Sequence, residues 1–335
     1  MSHAAKEVPA LDPQTLTGKR LGPYNSFNPV SEVQIWQWCS AMGDRNPLYL
    51  DRQYHASKGL DGPIAPPVMM QMWSMRDVNM QYAPGSTADA PYQVFDTLTD
   101  HGFPANVAVS YDIAFHRYLA NEARVHHYTT VVNISELKYT ALGRGYFVTE
   151  RVEYLDETES LFAEALITYY QYQPTEEPGS TTEQKLTPVE LPSEPWSTNF
   201  DDLHAADLAP GQVLPQLVIP ITHKLIVSGA AASQDFIDVH HNAPAARAAA
   251  MPDIFMNILT TCGLTGRYLS DWAGPASRLE KLSFRLMAPN VPGDTMVMQG
   301  RVSGLERDTR RVSIDFAGKN GLGAHVAGSA SLRLD

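Results

Sequence analysis

Asp235 and His240 stand five residues apart in the run Ser-Gln-Asp-Phe-Ile-Asp-Val-His-His. A carboxylate and an imidazole brought to one place can share a water molecule, and the imidazole can take and return a proton close to neutral pH. On a straight α-helix this spacing would turn the two side chains about 140° apart, because each residue advances the helix by about 100°. They converge only if the segment is a turn, and Asn242-Ala243-Pro244 is a turn signal of that kind. His241 is a rival to His240, and Asp238 could orient an imidazole or cap the next segment. Asp before a turn is also a common helix cap and His beside His a common loop residue, so the pair alone leaves a structural role open.

The elements that must position this pair occur twice. Gly43-Asp44-Arg45-Asn46-Pro47-Leu48-Tyr49 has the same frame, with Tyr49 in place of the imidazole. Each run precedes a proline-bounded apolar stretch, at Pro66-Pro67 and at Pro252, where proline suits a helix start. Upstream, residues 31–42 read as a helix with a Ser31/Gln34 capping box and Val33, Trp36 and Cys39 to one side. Strands are expected at 106–116, 127–137, 145–154 and 160–172 in the first half. In the second half they are expected at 217–227, 278–287, 295–305, 311–317 and 324–334. The helix after Pro252 is apolar on nearly every face, which predicts enclosure, with Gly263 and Gly266 admitting close approach of a sheet. Its first N–H groups, around 251–254, could stabilise a developing oxyanion. An antiparallel sheet wrapped around a central helix fits both halves, an α+β fold.

Residues 173–197 are rich in Pro, Thr and Glu without apolar periodicity and read as a linker. The 335 residues, 44% hydrophobic and 19% charged, suit about two soluble domains. A net charge of -12 argues against nucleic acid and anionic membrane surfaces, which demand basic patches. Cys39 and Cys262 read as buried free thiols of a reducing compartment. No apolar run approaches the ~20 residues of a membrane span, and the first six residues lack a signal-peptide core, so the expected location is the cytoplasm.

The first frame resembles the MaoC-like hydratases and dehydratases of the hotdog fold, the R-specific enoyl-CoA hydratases, whose signature is Gly-Asp-x-Asn-Pro-aliphatic-His. Residues 43–48 match it and Tyr49 departs from it, while 62–67 look like the lead-in to the helix of the N-terminal type of module. The second frame keeps Asp235 and His240 but has Ile237 and Asp238 where the family has Asn and Pro. With residues 252–260 and 267–272, it is similar to the catalytic subunit of actinobacterial steroid side-chain enoyl-CoA hydratases. Nothing here corresponds to the aldolase-recruiting domain of the larger steroid subunit.

The resemblance implies a tandem (double) hotdog: 1–172 a module lacking the catalytic His, 173–199 a linker, and 200–335 the module carrying the catalytic pair. It implies hydration of a bulky acyl-CoA by Asp235 and His240, with backbone N–H groups of Asp253 and Ile254 at the thioester oxygen. Tyr49, Met69 and Met72 would shape the acyl pocket, although the Met cluster reads most simply as core. No metal or redox cofactor is implied, CoA being part of the substrate, and the implied particle is a homodimer of fused chains. The alternatives are a dehydratase acting on a smaller hydroxyacyl thioester, a noncatalytic acyl-CoA-binding hotdog protein and, more weakly, a thioesterase.

Overall fold

The computed structural model describes residues 12–174, 186–249 and 251–335. The first six residues and much of the expected linker lie outside them. In the first half the strands are β1 (Arg20–Asn25), β2 (Ala105–Phe115), β3 (Val125–Ile134), β4 (Lys138–Thr140), β5 (Gly143–Asp156) and β6 (Leu161–Pro174). In the second they are β7 (Leu217–Ile221), β8 (Arg278–Leu286), β9 (Asp294–Glu306), β10 (Arg311–Asn320) and β11 (Gly323–Arg333). The helices are α1 (Glu32–Met42), α2 (Pro47–Leu50), α3 (Arg52–Ser57), α4 (Gln93–Asp100), α5 (His223–Ala232), α6 (Ala243–Ala248) and α7 (Ile258–Ala273).

All the strands join one antiparallel sheet in the order β1-β3-β5-β6-β2-β8-β11-β10-β9-β7, with β4 on β5. The order is symmetric about the β2–β8 seam, so each half is one hotdog sheet and the two pair edge to edge within the chain. At the seam Tyr111 opposes Phe284 and Ile113 opposes Leu282, all buried. Asp112 and Ser283 alternate to the outer face and hydrogen-bond across it. Pairing the two long edges internally removes the exposed ladder that would otherwise template association.

The second half has the expected enclosed helix. Asn257 caps α7 by accepting from the Thr260 N–H at 2.8 Å, and Gly274 ends it at φ +88°. The helix therefore starts later than expected, because residues 252–256 run as an irregular segment. Gly263 and Gly266 admit helical and turn neighbours, not a sheet. A Cβ at Gly263 would meet Trp38 at 2.8 Å, and one at Gly266 would meet Val68 at 2.8 Å.

Among its described residues the first half has no long central helix. Pro67–Met69 and Met72–Ser74 are single 3-10 turns, Met75 is extended, and the Asp77 carboxylate then folds the chain back by accepting from the Asn79 and Gln81 N–H groups. Two other expectations fail for local reasons. Thr222 ends β7 and caps α5 at Leu225, so 223–227 are helical and not strand. On α1 the spacing of Ile35, Trp38 and Met42 faces the core together with Cys39, leaving Val33 and Trp36 exposed. The Ser31 cap on Gln34 is as expected. No helix of the described residues is long and apolar enough to cross a membrane.

Candidate active site

Both Asp frames follow a helix that ends in a left-handed residue. After α1, Gly43 sits at φ +67° and the Asp44 N–H reaches back to Cys39 O at 2.8 Å. After α5, Gln234 sits at φ +55° and the Asp235 N–H reaches back to Ala230 O at 2.9 Å. A side chain in that conformation costs roughly 1–2 kcal/mol, which the second copy carries where the first uses glycine. The chain then makes a 3-10 turn at Asp238–His240 before Asn242 starts α6. That turn folds His240 back over Asp235.

His240 Nε2 lies 3.6 Å from Asp235 Oδ2, and both residues are nearly buried. His240 Nδ1 is 2.7 Å from the Phe255 carbonyl oxygen. A carbonyl can only accept, so Nδ1 carries a proton and Nε2 faces the carboxylate. Asp235 Oδ2 accepts from Asn257 Nδ2 at 2.9 Å, whereas its buried Oδ1 has no partner among the described residues. An unpaired buried acceptor beside an imidazole nitrogen can hold one water or hydroxyl group. His241, by contrast, is exposed and stands 3.8 Å from the exposed Asp238.

Asn257 was absent from the sequence-derived candidates, which placed it inside the helix. Its one legible signal was an Asn immediately before an apolar helical run, an N-cap type. It caps α7 with Oδ1 and spends both Nδ2 protons, on Asp235 and on Ser233 Oγ at 2.9 Å. The first helical N–H groups, those of Ile258 and Leu259, have no acceptor among the described residues.

Asp235, His240, Asn257, Ile258 and Leu259 all line a cavity of about 430 Å³. Its opposite wall comes from the first half, with Gln71, Met75, Tyr92, Ile167 and Tyr169. The missing central helix of that half leaves this room. The residues expected at the acyl pocket and the oxyanion lie elsewhere than this cavity. Tyr49, Met69 and Met72 are core residues that do not line this cavity; Met75 and Met80 from the same stretch do. Asp253 and Ile254 precede α7, lie outside the cavity lining, and the Ile254 N–H is occupied by Asp253 Oδ1 at 2.7 Å. The unpaired donors at the helix start are Ile258 and Leu259.

The first frame is closed. Asp44, Asn46, Tyr49 and Arg267 surround a space of only about 10 Å³. Burial pushes the Asp44 carboxyl up, partly offset by the Asn46 N–H that donates to it and then by the charge of Arg267. Arg267 also holds Asp271 at 3.2 Å and Met42 O at 2.9 Å. Asp271 is pushed up to about 7 by burial and by Asp44.

A solved MaoC-like dehydratase matches this chain with a TM-score of 0.73 at 18% identity, covering 97% of this chain and all of its own. The 3-oxo-4,17-pregnadiene-20-carboxyl-CoA hydratase beta subunit of Mycobacterium tuberculosis is 39% identical over 124 residues, 37% of this chain and 95% of that subunit. The chain belongs to the MaoC-like hydratases. The family described as FAS1-like, dehydratase domain region matches residues 16–164 of this MaoC-like chain. A probable enoyl-CoA hydratase alpha subunit of Thermomonospora curvata is 34% identical over 151 residues, 45% of this chain and 47% of that subunit, so the chain spans about half that relative's length. A double-hotdog protein of M. tuberculosis, at 16% identity, shares the fold with a TM-score of 0.62 over 94% of this chain. As a member of a hydro-lyase family, the protein is an enzyme of the hydratase and dehydratase type.

Proposed function

We propose that this MaoC-like enzyme hydrates an α,β-unsaturated acyl-CoA whose acyl group is bulky, of the steroid side-chain kind. The observation that carries the reading is the Asp235–His240 pair, 3.6 Å apart and opening on a cavity whose far wall is supplied by the other hotdog. The relatives named as steroid carboxyl-CoA hydratase subunits support the class of acyl group.

In this reading water sits between Asp235 Oδ1 and His240 Nε2. One of the two takes its proton as hydroxide adds to the β-carbon, and a proton is returned to the α-carbon. The titrations of so close a pair are coupled, so the base is a property of the pair. The thioester oxygen lies at the start of α7, where the Ile258 and Leu259 N–H groups meet the enolate charge as it forms. The reverse step is the dehydration of a 3-hydroxyacyl-CoA, catalysed by the same groups. The scheme draws on no metal or redox cofactor and on no nucleic acid or membrane. The proposed particle is a cytoplasmic homodimer of double-hotdog chains, with one active site per chain.

The test is loss of enoyl absorbance on mixing the protein with a steroid-type enoyl-CoA and with crotonyl-CoA. Hydration of the bulky ester is the expected result. Turnover of crotonyl-CoA alone would remove the bulky-pocket claim. Binding of both esters without reaction would instead favour a noncatalytic acyl-CoA-binding protein.

A further inference from the structure

Glu150 lies in the middle of β5, between Val131 of β3 and Ile167 of β6. The pleat turns its side chain to the same inner face as its partner Ile167, which lines the cavity. Glu150 is 4% exposed, and its Oε1 has no hydrogen-bond partner. Burying an unpaired polar atom costs ~1–3 kcal/mol, and a Leu or Val at this position in a sheet interior would carry no such cost. Burial pushes the carboxyl up to about 8, so at neutral pH it is an acid with an O–H to donate.

Two tyrosines belong to the same cavity wall: Tyr169 stands two residues along β6 from Ile167 and so on the same inner face, diagonal to Glu150, while the Tyr92 hydroxyl pairs with Tyr82. Their hydroxyls are pushed up by burial first, and then by the charge of Glu150 and, more weakly, that of Asp235. The two rings thus lie within electrostatic reach of the catalytic carboxylate on one side and of the buried acid on the other. Arg76 sits 4.6 Å over the Tyr92 ring and fixes its plane, and Phe95 meets the Tyr169 ring at 5.0 Å. The neighbouring wall includes the apolar Met75, Phe95, Val107 and Ile167. The same wall also carries Gln71, Arg76, Asp96 and Asn106, and the tyrosines differ from these in having an unspent buried acid behind them.

We propose that Glu150, acting through the Tyr92 and Tyr169 hydroxyls, is the distal specificity element of the acyl pocket and receives a carbonyl or hydroxyl oxygen on the part of the acyl group remote from the thioester. This rests on reading the cavity as the acyl pocket. The substrate oxygen accepts from a tyrosine O–H, and the tyrosine oxygen accepts from the Glu150 O–H. Such a relay is polarised along its length and gives the buried acid the partner it lacks. Glu150 does not line the cavity, so it acts as a positioning residue for the tyrosines and not as a direct contact.

The experiment compares kcat/KM for two bulky enoyl-CoA esters that differ only in a distal ketone replaced by methylene, with crotonyl-CoA as reference. The wild type is expected to favour the ketone by about tenfold or more, since a site built to hydrogen-bond a group discriminates against the analogue lacking it. Glu150→Leu and Tyr92→Phe are expected to bring that ratio toward one. Glu150→Gln, which keeps a donor and an acceptor, is expected to retain most of it, a rescue that a purely structural role would not produce. A wild-type ratio near one overturns the inference even if a variant fails to fold, as does an unchanged ratio in folded Glu150→Leu. Failure of the wild type to hydrate any of the three esters would overturn the hydratase reading itself, whereas equal turnover of the two bulky esters overturns the distal element alone.

Discussion

Asn257 Nδ2 donates to Asp235 Oδ2 at 2.9 Å, so the residue that caps the central helix also aims the carboxylate at the cavity. One side chain thereby couples the start of α7 to the Asp235 turn. Truncating it removes both functions. Asn257→Ala is expected to lower kcat by about 100-fold with little change in KM, because loss of alignment acts on the chemical step. It is also expected to cost about 1 kcal/mol of stability through the lost cap. Asn257→Ser keeps a capping oxygen and loses the amide donor. It should recover the melting temperature without recovering kcat, and parallel recovery of both would contradict the aiming role.

Glu150 ties pH to stability. Its reference value is 4.5 and burial raises it to about 8 in the folded protein. Between these values the folded state holds a proton that the unfolded chain has released, so rising pH removes stability, by up to about 1.4 kcal/mol per unit, until about pH 8. Glu150→Gln cannot lose that proton. Its melting temperature relative to wild type should climb from pH 5 to pH 8 and level off above. Thermal melts across that range check the slope, and a flat difference would contradict it.

The contact between Gly266 and Val68 is where the broken helix of the first half meets the intact helix of the second. A methyl at Gly266 would approach Val68 Cγ1 at 2.8 Å, inside the closest normal packing. Gly266→Ala gains about 1 kcal/mol of helix propensity but forces overpacking worth ~1–3 kcal/mol. A net loss of stability is expected. Adding Val68→Ala should return part of it, a coupling that denaturant unfolding of the single and double variants can read.

Tyr49→His would rebuild the family signature without rebuilding a site. The space around Asp44 is about 10 Å³, and its carboxylate already accepts from the Asn46 N–H at 2.9 Å. On an Asp235→Asn background, Tyr49→His is expected to leave hydration at the background rate. Any recovery of turnover would show that the first frame is open.

Much of this was legible in the sequence because it is local. The Asp235 turn, the β-branched and aromatic runs of β5, β6 and β8–β11, and the Ser31 cap each depend on a few adjacent residues. Some of what failed was equally local, and the rest depends on partners far along the chain. The apolar run from Leu217 to Val227 hides a change from strand to helix that only Thr222 marks. Met69 and Met72 have the same character as Met75, and which of them meets the cavity depends on where the 3-10 turns stop. The far wall of the site belongs to β6 and to the segment around Tyr92, and no spacing near Asp235 announces them. Nor could periodicity tell that the first half gives up its central helix, since the Met-rich stretch after Pro67 has good intrinsic helix propensity.

The central claim is one working site per chain, built on Asp235 and His240. It is tested most directly by the initial rate of enoyl-CoA hydration in Asp235→Asn, measured beside Asp44→Asn. The account predicts a loss of about 1,000-fold or more in Asp235→Asn, from removal of a group that handles the proton, and a rate within about threefold of wild type in Asp44→Asn. Full activity in Asp235→Asn, or its loss only in Asp44→Asn, would contradict it.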